Sequence, residues 1–394
     1  MDPLAITAFT ATSALGRGRA AHAQALLSKR GGLRVNDFTP APLTCAIGRV
    51  DDLETTPLPD ALADYDCRNN RLAWLGIGAD GFLDGAREAI ERYGAGRVAL
   101  LLGTSTGSIG ATEEAYTDLE GGTFPVGLCN PLLHTPHSLG VFLEAALGTR
   151  GPCLTIATAC SSSAKIFAQA ERLLRAAVAV AAILGGVDTL CGSVLFGFNA
   201  LELVAPDPCR PFDVARRGIS IGEAAGFALL ERDGLASAPR LLGYGEASDA
   251  HHMSTPHPQG LGARLALGDA LARAGLATID IDYINLHGTA TIKNDEVEAA
   301  LVRDLFPATT RASSTKGYTG HTLGAAGILE SVITLLAMEQ GIVPGTLNST
   351  TLDPLCGPQI TLDNESRTIS VALSNSFGFG GNNCTLAFGR GRSA

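Results

Sequence analysis

The chain has 394 residues, 46% of them hydrophobic, which is enough for two cores of ordinary domain size. Nine cysteines without a C-x-x-C pair exclude a disulfide framework and a thiolate zinc centre and fit a reducing cytoplasm. A net charge of -10 excludes general nucleic-acid affinity; residues 1–14 lack the features of a secretory signal, and the longest apolar stretch, 176–187, is too short for a membrane span.

The first clear unit is residues 154–159, an apolar run that reads as a short buried strand. Residues 161–177 follow with Ile166, Phe167, Ala170, Leu173 and Leu174 at helical spacing, and 178–184 read as a second buried strand. Strand, helix and strand make a βαβ unit, whose parallel strands need helices on both faces, so the fold class is α/β. Gly185-Gly-Val-Asp188 lacks the spacing of a nucleotide-binding loop and reads as a turn. Gly, Pro and charged residues between 232 and 245 interrupt the pattern and mark the join of two α/β halves, 1–237 and 238–394. Beyond the join come a strand at 282–286, a helix at 295–306, a strand at 312–314 and a helix at 325–340. Two strands, 369–375 and 384–388, close the chain around a glycine turn.

Cys160 falls at the junction of the first strand and helix, where backbone N–H groups lack helical partners and the helix dipole is positive. Both effects predict a thiol depressed below its ordinary value of about 8.5. The N–H of Cys160 itself is an oxyanion donor in such a turn, so one motif supplies nucleophile and charge stabilisation. His287 (in NLHGTAT) and His321 (in STKGYTGH) each follow a predicted strand, so both emerge at the carboxyl edge of a sheet. Alternating Phe and Gly in SNSFGFGG suits a backbone N–H held beside a reacting carbonyl, with a ring excluding water; a plain hairpin reads equally well. His22, His134, His137, His251, His252 and His257 have no comparable context and read as structural or surface residues.

Between about residues 101 and 388, seven segments stand in order: GTSTGSIG, GTRGPCLTIATACSSS, CRPFD, GISIGEAAGFALLER, NLHGTAT, SSTKGYTGHTLGAAG and NSFGFGG. Through them the chain closely resembles the elongating β-ketoacyl-acyl carrier protein synthases of the thiolase superfamily. The resemblance implies a five-layered αβαβα thiolase fold with two pseudo-symmetric halves, assembled as a homodimer or as a heterodimer with a related ketosynthase or chain-length factor. It implies decarboxylative Claisen condensation of an acyl-Cys enzyme with a malonyl group on an acyl carrier protein. No cofactor or metal is implied, because substrates travel on the carrier's phosphopantetheine.

By the same resemblance the Cys-His-His set falls on Cys160, His287 and His321, supported by Lys316 and Glu330. Phe379 gives the second oxyanion N–H and a gating ring; Thr289 and Thr291 match residues contacting the pantetheine arm, and Asp295 completes the substrate-binding set. An acidic carrier needs a local basic patch on this acidic chain. Arg68 and Arg71 lie in the segment resembling the docking helix, and Arg210, Arg216 and Arg217 flank CRPFD. Residues 290–295 and the triple serine after Cys160 depart from the fatty-acid enzymes and look more like aryl polyene synthases. The rival readings are a non-decarboxylating thiolase, with Cys384 as its second cysteine, a catalytically silent chain-length factor, and a Cys-His hydrolase.

Overall fold

Two five-stranded sheets form the frame of the computed structural model, which describes residues 1–119, 121–126 and 130–391. The first sheet contains β1 (Leu4–Ser13), β2 (Val98–Gly103), β3 (Cys153–Ile156), β4 (Ala181–Asp188) and β5 (Ala224–Glu231), in the order β3-β2-β4-β5-β1. The second contains β6 (Arg240–Ser248), β7 (Tyr283–Asn285), β8 (Arg311–Ser313), β9 (Val371–Gly378) and β10 (Asn382–Gly389), in the order β8-β7-β9-β10-β6. The order repeats strand for strand. So does the direction: three parallel strands in each sheet, followed by two antiparallel pairings. The sheets meet where β1 touches β6, with Leu4 opposite Leu241 and Ala5 opposite Arg240.

Helices α1 (Arg68–Ile77), α2 (Phe82–Tyr93) and α3 (Ser138–Leu147) cover the outer face of the first sheet. The central layer is made by α4 (Ser162–Arg175) and, later in the chain, α8 (Ala326–Gln340), which pack on each other and on both sheets. A helix α5 (Gly192–Ala200) borders the cavity described below, and α6 (Leu261–Ala274) and α7 (Ile292–Leu305) cover the second sheet. The result is the expected layering αβαβα. Leu323–Gln340 is the one helix among the described residues long and apolar enough to cross a membrane, but 89% of it is buried within the fold. Its apolar character all round is what a helix between two sheets requires.

Three local expectations change. The strand expected to be buried at 154–159 is β3, which ends at Ile156 and lies at the sheet edge with Leu154 40% exposed. Gly185 and Gly186 form no turn; they lie inside β4, where a Cβ on Gly186 would come within 2.6 Å of both Ile328 and Ser163 in the central helices. Gly245 likewise sits within β6 and not in a linker, because a Cβ there would stand 1.9 Å from the Ala266 carbonyl oxygen of α6. The irregular connection shortens to residues 232–239. These glycines permit close helix approach, a role a strand glycine shares with turns in sequence but not in space.

Candidate active site

Between β3 and α4 the chain reverses through Ala159, whose φ of +52° is in the left-handed region, and Cys160 follows immediately. The three serines hold this turn. Thr158 N–H donates to Ser162 Oγ at 2.9 Å, Ser161 Oγ to the Thr158 carbonyl at 2.9 Å, and Ile328 N–H of α8 to Ser163 Oγ at 2.9 Å. Fixed in this way, Cys160 is 5% exposed, with Sγ 2.9 Å from His321 Nε2 and the Phe379 backbone N–H directed at the same sulfur.

The depressed thiol expected at this helix entry is reversed. Burial pushes Cys160 up to about 11 and outweighs the opposing influence of Lys316 and the Phe379 N–H. Charge transfer into a low-dielectric site penalises the thiolate more than the helix entry favours it. The resting group is therefore a thiol beside a neutral imidazole.

His287 follows β7, and its ring stands edge-on to His321 with centroids 5.4 Å apart. Both rings are buried, which holds them well below the ordinary imidazole value, and Lys316 adds to the effect. Lys316 Nζ lies 3.4 Å from His287 Nδ1, donates to the His287 carbonyl and pairs with Glu330. A cation at Nδ1 makes that nitrogen the acceptor and leaves the proton on Nε2. His321 differs: its Nδ1 is buried without a hydrogen-bond partner among the described residues, and its contact with Cys160 is made through Nε2, the acceptor when Cys160 is a thiol. Burial pushes Glu330 up to about 7 against the pull of Lys316.

The loop that carries His287 is gripped by a residue the sequence reading passed over. Glu298 accepts the His287 N–H at 2.9 Å, the Gly288 N–H at 2.8 Å and Asn375 Nδ2 at 3.2 Å, joining this loop to β9. Burial nevertheless raises Glu298 to about 7. Its signal was available in the spacing of Asp295 and Glu298, which places two carboxylates on one face of α7. Asp188 was also missed; at the end of β4 it collects the N–H groups of Ser105 and Thr106 and the hydroxyl of Thr104 at 2.6 Å.

A cavity of about 340 Å³ opens over the triad and is lined by Cys160, His287, His321, Thr289, Thr291 and Phe379, together with Phe198, Met253 and Ile292. Thr289 and Thr291 share a hydroxyl hydrogen bond of 2.9 Å on one wall. Phe379 stacks on Phe198 of α5 with centroids 5.5 Å apart, a pairing that periodicity could not reveal because the two residues meet only in the fold.

Several expected site residues are elsewhere. Asp295 is 1% exposed and does not line the cavity; behind its wall it accepts the Phe212 N–H at 2.7 Å, the Ala290 N–H at 3.2 Å and Nδ2 of the lining residue Asn294 at 3.1 Å, and burial raises it to about 6. It braces the wall instead of binding substrate. Arg68 is drawn inward, paired with Glu54 and, at 2.6 Å, with the buried Glu223, while Arg71 is clasped by Asp66 at 2.6 and 2.5 Å. Arg216 is buried against Asp353 at 2.7 Å, and Arg210 is half-buried within electrostatic reach of Asp213. Of the arginines named for docking, Arg217 alone is strongly exposed, and it lines the cavity.

Cys384 is fully buried within β10, and burial pushes its thiol far up, so the second cysteine a thiolase needs does not reach the cavity. His22 is a core residue bonded to Ser13 Oγ and the Gly18 carbonyl, each at 2.8 Å, whereas His252 borders the cavity and caps Ser254 and Thr255. The triad brings one sulfur and two ring nitrogens within 4.8 Å of one another, a set a soft metal ion would accept. His287 Nδ1, however, faces an ammonium, the reverse of the acceptor that supports a metal-bound imidazole.

The match to known proteins follows this geometry. Residues 80–236 match the family described as beta-ketoacyl synthase, N-terminal domain, and residues 239–350 match beta-ketoacyl synthase, C-terminal domain. The chain is 35% identical over 305 residues to Nodulation protein E of Rhizobium meliloti (strain 1021), covering 74% of this chain and 75% of that protein. It is 31% identical over 405 residues to 3-oxoacyl-[acyl-carrier-protein] synthase 2 of Synechocystis sp. (strain ATCC 27184 / PCC 6803 / Kazusa), covering 97% of each. Among solved structures, the ketosynthase ApeO in complex with its chain length factor ApeC, from Xenorhabdus doucetiae, superposes with a TM-score of 0.91 at 35% identity, covering 99% of this chain and 98% of that one. With the thiolase layering, the Cys-His-His geometry and these likenesses together, the chain belongs to the β-ketoacyl synthase family.

Proposed function

We propose that the protein elongates acyl chains by decarboxylative condensation, with Cys160 carrying the growing acyl group and a malonyl thioester on an acyl carrier protein supplying two carbons. The observation that carries this is the approach of Cys160 Sγ to His321 Nε2 at 2.9 Å, with a ring nitrogen of His287 within 4.8 Å of both.

In loading, Cys160 attacks the acyl thioester and its proton passes to His321 Nε2, which returns it to the departing carrier thiol. The tetrahedral oxyanion is met by the N–H groups of Cys160 and Phe379. In condensation, loss of carbon dioxide from the malonyl group leaves charge on its thioester oxygen, which His287 Nε2–H stabilises in a water-poor site. His321 serves as the second donor to that oxygen once Cys160 is acylated and no longer holds Nε2 as the acceptor of its thiol proton. The enolate carbon then attacks the acyl-Cys160 carbonyl, the carbon–sulfur bond to Cys160 breaks, and the β-ketoacyl carrier departs while the Cys160 thiolate takes up a proton to restore the resting thiol. Departure of carbon dioxide generates the carbanion, so the cycle needs neither cofactor nor metal. Lys316 acts by positioning His287, and Glu330 by balancing Lys316.

The segment 290–295 and the likeness to the ApeO ketosynthase support an aryl polyene type of pathway and pairing with a related chain, in which Cys160 and both histidines make this chain the catalytic member. The eight described cysteines are all unbridged, in keeping with a reducing cytoplasm. The test is mass spectrometry of the protein and of carrier-bound products with acyl and malonyl carriers. Acyl mass should appear on Cys160, and Cys160→Ala should abolish both loading and elongation. Elongation at the native rate by the variant overturns the assignment.

A further inference from the structure

The cavity wall runs outward in alternate residues: His287 is 2% exposed, Thr289 6% exposed, Thr291 half-buried, and the Lys293 side chain 67% exposed. All four line the cavity. Arg217, 62% exposed, lines it too, and its neighbours in the chain bind it to this same wall. Arg216 donates to the Ile292 carbonyl at 3.3 Å, and the Gly218 N–H donates to the Ala290 carbonyl at 3.0 Å. Two cations from distant parts of the sequence are thus mounted together on the rim.

We propose that Arg217 and Lys293 form a phosphate clamp at the cavity mouth, which takes the phosphodiester linking the carrier protein to its pantetheine arm. This rests on the condensing reading above and adds to it the point at which the arm is recognised. An arm whose thioester reaches Cys160 passes Thr289 and Thr291 on the way out and ends where the cations stand. Each cation now pairs with a solvent-accessible carboxylate, Arg217 with the exposed Asp207 at 2.5 Å and Lys293 with the half-buried Glu296 at 3.0 Å. Exposed pairs contribute little, so both are free to exchange that partner for a phosphate. Of the acidic residues of the cavity wall, Asp249 is occupied by the N–H groups of His257 and Gly262 and by Asn383 Nδ2, so its charge is turned away from the clamp.

The experiment compares two donors with the same acyl group, acyl-phosphopantetheine and acyl-pantetheine, by the rate of acyl transfer to Cys160 read from intact mass. The native protein should prefer the phosphorylated donor. Arg217→Ala and Lys293→Ala should each reduce that preference about tenfold, the scale of a charge-assisted hydrogen bond, and Arg217→Lys should retain most of it. A preference unchanged in both alanine variants overturns the clamp. With the acyl carrier protein itself as a third donor, a loss confined to that donor also overturns it and assigns the two residues to the acidic surface of the carrier. If Cys160 takes up no acyl group at all, the condensing reading fails by itself; calorimetric binding of phosphopantetheine against pantetheine to the same variants then decides the clamp.

Discussion

Glu298 shows how much of this site depends on a side chain that never meets substrate. One carboxylate accepts the N–H groups of two consecutive residues and an amide from β9, so it sets both the His287 loop and the strand leading to Phe379. Because burial raises Glu298 from 4.5 to about 7, the native protein binds more protons than the unfolded chain between those values. Its contribution to stability is therefore greatest below about pH 4.5 and declines until about pH 7. His22, His287 and His321, held below 6.5, act in the opposite sense over part of that range, so a variant is needed to isolate the carboxylate. The stability advantage of the native protein over Glu298→Gln should shrink by an amount on the order of 3 kcal/mol between pH 4.5 and 8. Denaturant unfolding at several pH values measures it, and a constant difference contradicts the assignment. Elongation by the variant should fall about tenfold through a misplaced His287. Cys160, His287 and His321 were legible because each stands at a predicted strand end beside glycine or serine. The sign of the Cys160 shift was not, since it depends on how deeply the fold encloses the sulfur.

At the level of elements, periodicity located what it physically encodes. The helix expected at 161–177 is observed at Ser162–Arg175, and that at 325–340 at Ala326–Gln340, because each shows apolar spacing or a long uninterrupted run without Pro. Strands were harder to read. β1, LAITAFTATS, is buried along most of both faces and so shows no clear alternation, and β4 hides two glycines that look like a turn. Those glycines answer to the helices stacked on them, a constraint absent from local sequence. Gly245→Ala tests this directly. Its new methyl would meet the Ala266 carbonyl of α6, so stability should fall by about 3 kcal/mol, read from chemical denaturation. A neutral substitution would mean that α6 shifts freely on the sheet.

For the molecule as a whole, the most telling feature is an unpaired edge. β3 ends the first sheet with Leu154 exposed, an arrangement that invites pairing with another chain unless it is covered. If a second subunit covers it, light scattering should give a dimer for the native protein and a shift toward monomer for Leu154→Lys, with unchanged circular dichroism. Equal masses would place the interface elsewhere. The twofold repetition was expected from the family resemblance and from the alternation of strands and helices in both halves, although no sequence repeat carries it. What it does to the chemistry is plain in retrospect: one half holds the sulfur and the other both imidazoles, joined by a two-residue strand pairing and by the packing of α4 on α8 between the sheets. The sulfur is synthesised long before His287, His321 and Phe379 follow it, so a nascent or truncated chain that stops short of them carries the cysteine without the groups that act on it.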